Sequence, residues 1–320
     1  MENCIKPQKK RHLSQLNFIN MNIINKTIKN KALVIMFLPC VIYYIVFQYL
    51  PIYGLTLAFK DYRIIDGIGA SPWVGLKYFN FAFTSDDFWL SFKNTLIISG
   101  LKLMFNFPAP IILALLLNEV RRLHFKKLVQ TVTYMPHFLS WIVLSGIVIN
   151  FLSPSTGPIN MLLSSMGIQP IYFVGNKEWF RQVLVVSSMW KEVGWGTIVY
   201  LASLAGVNSE LYEAAVLDGA GRLKQTIHIT LPAISPVIVI MFIFAVGGIV
   251  NDDFDQIYNL YNPAVYSVAD VLSTYIYRMG LENMQYSYAT AVGLFKNVIA
   301  FILILITNFV SKRYSDYGLW

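Results

Sequence analysis

The stretch from Leu211 to Pro232 of this 320-residue chain combines acidic, basic and imidazole side chains with small residues and two glycines, unlike the other loops. It reads Leu-Tyr-Glu-Ala-Ala-Val-Leu-Asp-Gly-Ala-Gly-Arg-Leu-Lys-Gln-Thr-Ile-His-Ile-Thr-Leu-Pro. Glu213, Arg222 and Lys224 supply charge for docking another surface. Catalysis is a poor fit, because His12, His124, His137 and His228 are scattered without metal-ligand spacing, and no H-E-x-x-H or G-x-S-x-G string occurs. No G-x-x-x-x-G-K-[ST] string is present either, so the chain has no P-loop of its own to hold a nucleotide. Cys4 and Cys40 form neither a disulfide framework nor a metal cluster. The expectation is a chain with no catalytic, cofactor-binding or metal-binding residues.

Within the 211–232 stretch, Leu211, Ala214, Ala215 and Leu217 suit one or two packed helix faces. Gly219 and Gly221 then permit a sharp backbone turn. Asp218 is expected to cap a second short helix from Ala220 to Ile229, Pro232 to close it, and Pro236 to start the next apolar segment. Small residues on a projecting helix admit a close protein surface. Spacing alone fits equally an amphipathic helix pair that only connects two spans.

A second set of chemistry-bearing residues lies inside apolar surroundings: Lys102, the adjacent Lys191 and Glu192, and Lys296. A charge at membrane depth costs at least ~2.5 kcal/mol when exposed to lipid, so each is a candidate functional group. Lys191 and Glu192 point about 100° apart on a helix and should meet different partners. Structural ion pairing and solute contact stay open for all four. Trp190, Trp195, Tyr200, Asn251, Asp252, Asp253, Asp255 and Tyr258 combine aromatic faces with hydroxyl-binding groups, the mixture a sugar requires. They read equally as interface aromatics and a solvated acidic loop. His137, after Pro136, is either a proton relay or a hydrogen-bonding partner at a kink.

These residues must be positioned by membrane helices. The chain is 56% hydrophobic and 13% charged, against about 25% charged in soluble domains, so it cannot coat a soluble surface. Ala32 to Phe59 contains no charged residue and as a helix would reach ~42 Å, enough to cross a ~30 Å hydrocarbon core. That run starts too late, runs too long and lacks an A-x-A site, which excludes a cleaved signal peptide. Apolar blocks predict six spans near 32–58, 92–118, 128–152, 182–205, 234–252 and 287–310. The net charge of +8 is not a nucleic-acid footprint, because the Lys and Arg flank apolar blocks. Lys6 to Lys31, Arg121 to Lys127, Arg222 with Lys224, and Lys312 with Arg313 all fall on one side. The positive-inside rule puts both termini in the cytoplasm. Pro39, Pro51, Pro108, Pro110 and Pro136 predict kinks that a cavity-lining bundle tolerates.

The string Glu213-Ala214-Ala215, Asp218-Gly219-Ala220 and Ile229-Thr230-Leu231-Pro232 resembles the EAA loop of type I ABC importer permeases. Trp73 to Phe79 resembles the segment before the second span of carbohydrate permeases and Asn94-Thr95 the start of their core, while Tyr134 to Ser140, Trp190 to Trp195 and Tyr200 to Ala202 are similar to the subgroup that imports complex oligosaccharides. The resemblance covers residues 30 to 320. It implies an all-α integral membrane fold with six transmembrane helices: a cytoplasmic tail 1–31, a first helix and extracytoplasmic segment 32–90, a type-1 core 91–310 with coupling loop 206–235, and a tail 311–320. It further implies that Glu213, Ala214, Ala215, Asp218, Gly219, Ala220, Arg222 and Pro232 couple the chain to a separate ATPase. Leu223 departs from the bulky aromatic often found there. The implied partners are a second homologous permease, two ABC ATPase subunits carrying ATP and Mg, an extracytoplasmic solute-binding protein and an oligosaccharide. The implied place is a bacterial cell membrane. Trp190, Glu192, Trp195, Tyr200, Asn251, Asp252 and Asp255 are the candidates for the solute path. A non-sugar solute and an ion-coupled secondary transporter are the alternatives.

Overall fold

Backbone groups in hydrocarbon must be satisfied within their own segment, and the described chain obeys this by being helical throughout, with one isolated β-bridge between Lys60 and Trp73. The computed structural model describes residues 31–250 and 253–315. The chain divides between Thr56 and Leu57 into two units.

The first unit holds α1 (Lys31–Tyr44), a π turn over Ile45–Tyr49 and the start of a 3-10 stretch, Leu50–Phe59. The segment Lys31–Phe59 is long and apolar enough to cross a membrane. Pro39 sits inside α1 without ending it. The π turn stands directly before Leu50-Pro51, with the Leu50 N–H reaching back to the Ile45 carbonyl. A wider turn gives the proline ring room that an α-turn would deny it.

The second unit contains α2 (Gly67–Ala70), α3 (Lys77–Phe83), α4 (Asp86–Asn106), α5 (Pro108–Glu119), α6 (Leu123–Tyr134), α7 (Trp141–Phe151), α8 (Pro158–Ser165) and α9 (Phe180–Leu204). It continues with α10 (Ser209–Leu217), α11 (Arg222–Gln225), α12 (Leu231–Gly247), α13 (Phe254–Leu260), α14 (Tyr266–Ala269), α15 (Leu272–Tyr277) and α16 (Tyr286–Ser315). Ser85 starts α4 by accepting from the Phe88 N–H, and Asp86 and Asp87 complement the positive end of the helix. Asp86–Glu119, Arg222–Val250 and Tyr286–Arg313 are three further segments able to span.

Two expected spans differ from simple rods. The third, expected over 128–152, is a pair, Leu123–Phe138 and Trp141–Phe151, bent by 110°. Pro136 breaks the ladder and Ser140 starts α7 afresh by accepting from the Val143 N–H. The fourth is α9, whose 25 residues give ~37 Å of helix. It carries Lys191 and Glu192, so hydropathy alone does not mark it as a span.

The second unit packs in three apolar clusters. One joins Ile98 of α4, Leu144 of α7, Phe180 and Leu184 of α9, and Ile257 and Leu260 of α13. Another joins Phe88, Leu272, Tyr275, Tyr288 and Val292. The third sets Ala114 of α5, Tyr200 and Leu204 of α9 and Ile234 of α12 together. Small residues let the helices close up, as expected where lipid removes the hydrophobic drive between them. A Cβ on Gly194 would stand 2.1 Å from the Thr133 carbonyl oxygen.

The Tyr- and Asn-rich segment after Asp253 folds into α13, α14 and α15 and supplies core residues such as Val265, Ala269, Val271 and Leu272. Asp270 fastens it. Arg278 grips both carboxylate oxygens at 2.6 and 3.0 Å, and Ser91 and Thr274 donate to the same group. Asn94 donates to the Ser267 and Asp270 carbonyls while accepting from Arg181.

Candidate functional site

Two features could do work. The first is the turn between α9 and α12. Asn208 starts α10 by accepting from the Glu210 N–H at 3.0 Å, and no residue of α10 is buried. The helix ends at Gly219, whose φ of 73° is the left-handed region. The Ala220 N–H donates to the Ala215 carbonyl at 2.8 Å and the Gly219 N–H to the Val216 carbonyl at 3.0 Å. This paired closure is a Schellman motif.

Asp218 is therefore the C-terminal cap of α10 and not the N-cap of a following helix; Gly221 occupies that position without a side-chain bond. Nor does Pro232 close the second helix. A π turn over Thr226–Thr230, with Leu231 N–H bonded to the Thr226 carbonyl, carries the chain through Leu231-Pro232 into α12. It is the same arrangement as before Leu50-Pro51.

The turn is braced from within and from outside. The Tyr212 hydroxyl lies 3.0 Å from Thr230 Oγ1, and Gln225 donates to the Ala220 carbonyl. Arg222 forms a 2.8 Å ion pair with Glu119 at the end of α5. Glu213, Ala214, Asp218, Lys224 and His228 are exposed, and so are the apolar Leu211, Val216, Leu217 and Leu223, with Leu217 at 89%. Apolar residues held outward on a rigid turn between charges make a surface suited to a protein partner.

The second feature is a cavity of about 480 Å³ at the junction of α4, α5, α9 and α12. Lys102, Asn106, Glu192, Tyr200 and Asp253 lie on its wall. Lys102 Nζ stands 2.7 Å from Asp253 Oδ2 and 2.5 Å from Gln256 Oε1. Gln256 is fully buried and donates to the Leu184 carbonyl and Ser187 Oγ. Asp253 holds φ 37°, a left-handed conformation uncommon outside glycine. Asn106 Oδ1 is buried with no hydrogen-bond partner among the described residues, so it offers an acceptor that a hydroxyl donor would satisfy.

Beside this cavity the bend between α6 and α7 is held by α9. Lys191, 8% exposed, donates to the His137 and Leu139 carbonyls at 2.8 and 2.7 Å. Glu192 Oε2 lies 2.9 Å from His137 Nδ1, and the imidazole stacks flat on Trp195 with centroids 4.4 Å apart. The donor for the carbonyls freed at the Pro136 kink is thus Lys191.

Of the residues read from the sequence, Glu192 and Tyr200 share the cavity, and Trp195 flanks it through His137. Trp190 faces a separate apolar cavity of about 540 Å³ with Ile147, Phe151 and Phe173. Asp255 is exposed on α13 and does not line the 480 Å³ cavity. Asn251 and Asp252 lie outside the described residues. Lys296 bonds to Ser273. Asn106 and Gln256 escaped the reading. The one sequence signal for Gln256 is its position three residues after Asp253, on the same helix face.

Comparison with known proteins agrees with this geometry. Residues 106–316 match the family model for binding-protein-dependent transport system inner membrane components. Protein LplB of Bacillus subtilis is 46% identical over 292 residues, 91% of this chain and 92% of its own. The polygalacturonan/rhamnogalacturonan transport system permease YteP of the same organism is 45% identical, with 92% of each chain covered. Among solved structures, a bacterial alginate ABC transporter in complex with an alginate pentasaccharide-bound periplasmic protein superposes with a TM-score of 0.85. It is 42% identical and covers 92% of this chain and 99% of its own. The chain, with its helical bundle, exposed turn and interhelical cavity, belongs to the family of binding-protein-dependent transport system inner membrane components.

Proposed function

We propose that this chain is a permease subunit of an ATP-driven importer that moves an oligosaccharide delivered by an extracytoplasmic binding protein. The single observation carrying the coupling is the Gly219 turn, a rigid, outward-facing, partly apolar knuckle tied by Arg222 to α5. A chain with no P-loop must receive its work from elsewhere, and ATP and Mg belong on a separate ATPase that seats this knuckle. Glu213, Ala214, Ala215, Gly219, Ala220 and Arg222 form the knuckle's contact surface, with Asp218 and Pro232 shaping it. The oligosaccharide cargo is supported by the names of the relatives and by the cavity, where Glu192, Tyr200 and Asn106 present hydroxyl-binding groups. On the positive-inside rule the basic flanks argue for a cytoplasmic knuckle and cytoplasmic termini, with the loops near 60–91, 153–181 and 253–286 outside.

The test is reconstitution with a second permease, the ATPase pair and the binding protein in liposomes. Labelled oligosaccharide should accumulate only with ATP. Uptake that persists without nucleotide, or that needs only an ion gradient, would overturn the reading.

A further inference from the structure

A third cavity, of about 690 Å³, opens between the 57–84 segment and the start of α16, roomier than the 480 Å³ one at membrane level. We propose that this pocket, walled by Tyr62, Lys77, Tyr78, Asn80, Gln285 and Tyr286, is a second oligosaccharide subsite, taking a sugar residue that bears a carboxylate. This rests on the oligosaccharide reading above and adds a place and a charge preference to it.

Lining chemistry is the first reason. Tyr62 and Tyr286, both on the pocket wall, meet at 87° with centroids 5.8 Å apart, a corner of aromatic surface against which a pyranose can lie. Asn80 and Gln285 are exposed amides, each able both to donate to and accept from hydroxyls. Lys77 is the only charged residue among those lining the pocket. Its ammonium is more than half exposed and sits 3.7 Å from Asp61, a long ion pair that leaves donors for an incoming carboxylate.

The pocket is also built rather than incidental. Ser287 Oγ accepts from the Tyr62 N–H at 3.0 Å and donates to the Lys60 carbonyl at 2.6 Å, tying the two walls together. The Tyr78 hydroxyl is bonded to Asp61. On the other wall Met284 takes a left-handed φ of 56°, and the Gln285 N–H is held on the Met279 carbonyl at 2.8 Å. Strain of this kind persists where surrounding structure over-determines it, and it turns Gln285 and Tyr286 toward the pocket wall.

The experiment uses the assembled permease–ATPase complex in nanodiscs, without binding protein, and titrates trigalacturonate and, separately, maltotriose. Trigalacturonate should bind, and Lys77→Gln should weaken it about tenfold, as loss of one charge-assisted hydrogen bond does, while leaving maltotriose unaffected. Tyr286→Ala should weaken both sugars, and Tyr286→Phe should restore them. Lys77 is exposed, and in the first variant Asp61 keeps its bond from the Tyr78 hydroxyl, so the fold should be retained. Absence of trigalacturonate binding, or binding equal in the wild type and both variants, would overturn the subsite. So would variants that lose only stimulation by the binding protein, since the pocket would then be a protein-docking surface. ATP-driven oligosaccharide uptake measured on the same preparations separates the two ideas. Uptake without pocket binding removes the subsite alone, whereas no oligosaccharide uptake at all removes the functional reading.

Discussion

Two single residues carry disproportionate weight. Gly219 has open space around its Cα, so a larger residue would not clash; its cost comes only from the left-handed backbone, about 1–2 kcal/mol for a residue with a Cβ. Gly219→Val is therefore expected to leave the spans inserted but to loosen the α10 cap. Transport-linked ATP hydrolysis should fall several-fold in proteoliposomes with protein yield in the membrane unchanged; normal coupling would sink the role assigned to this turn. Lys191 is the other. Lys191→Met would leave two part-buried carbonyls at the α6–α7 bend without their donor, costing about 1–3 kcal/mol, and thermal unfolding in detergent should show a lower midpoint. Both residues stand out in the sequence, Gly219 by its motif and Lys191 as a charge at membrane depth. Its partners were not legible, because they are backbone carbonyls created by a kink in a different helix.

Among the elements, the close seat of α9 on α6 and α5 decides how rigid the cavity wall is. Gly194→Leu would force these helices apart at Thr133, so the complex should lose stability and the cavity its shape; a variant with unchanged melting and unchanged uptake would contradict that packing. The 57–85 element behaves differently, since its brace is ionic. The Tyr78 hydroxyl, with lesser help from Lys77, holds the Asp61 carboxyl below its ordinary 3.8, and burial with the same bond pushes Tyr78 up to about 12. A depressed acid contributes stability above its unfolded value and loses it as pH falls through the folded one. Melts below about pH 3.8 should thus show a drop that Tyr78→Phe diminishes; identical acid profiles would exclude the brace. The approximate places of the apolar segments and a kink at Pro136 were legible in the sequence. What escaped was local: the 110° size of that bend and the π turns that let the chain pass Pro51 and Pro232, set by how a missing N–H is accommodated rather than by hydropathy.

For the whole molecule, the composition excludes a soluble fold, and the sidedness proposed from the positions of Lys and Arg is checked by protease access to either terminus in sealed vesicles. Both should be cut from the cytoplasmic face only. The segment 253–285 was the least legible region. Its tyrosines and asparagines look like a solvated loop, yet every third or fourth residue is apolar, and Asp270 and Arg278 neutralise each other inside it. Burial there depends on pairs far apart in sequence, such as Asn94 with Asp270, which no local pattern reveals. The coupling turn was legible in residue type, and its cap geometry was not, since Gly219 rather than Asp218 governs it.

The Arg222–Glu119 pair gives the molecule a lever. Glu119 ends α5, and Pro110, one turn into that helix, borders the cavity and accepts from Thr197 of α9 through its carbonyl. A displacement of the knuckle pulls on one end of a stiff rod about 18 Å long whose other end is part of the chamber wall. On the coupling role proposed above, a stroke received at this turn would travel along α5 to the cavity wall. Exchanging the two charges, Arg222→Glu with Glu119→Arg, should preserve transport, whereas either change alone should let the lever slip.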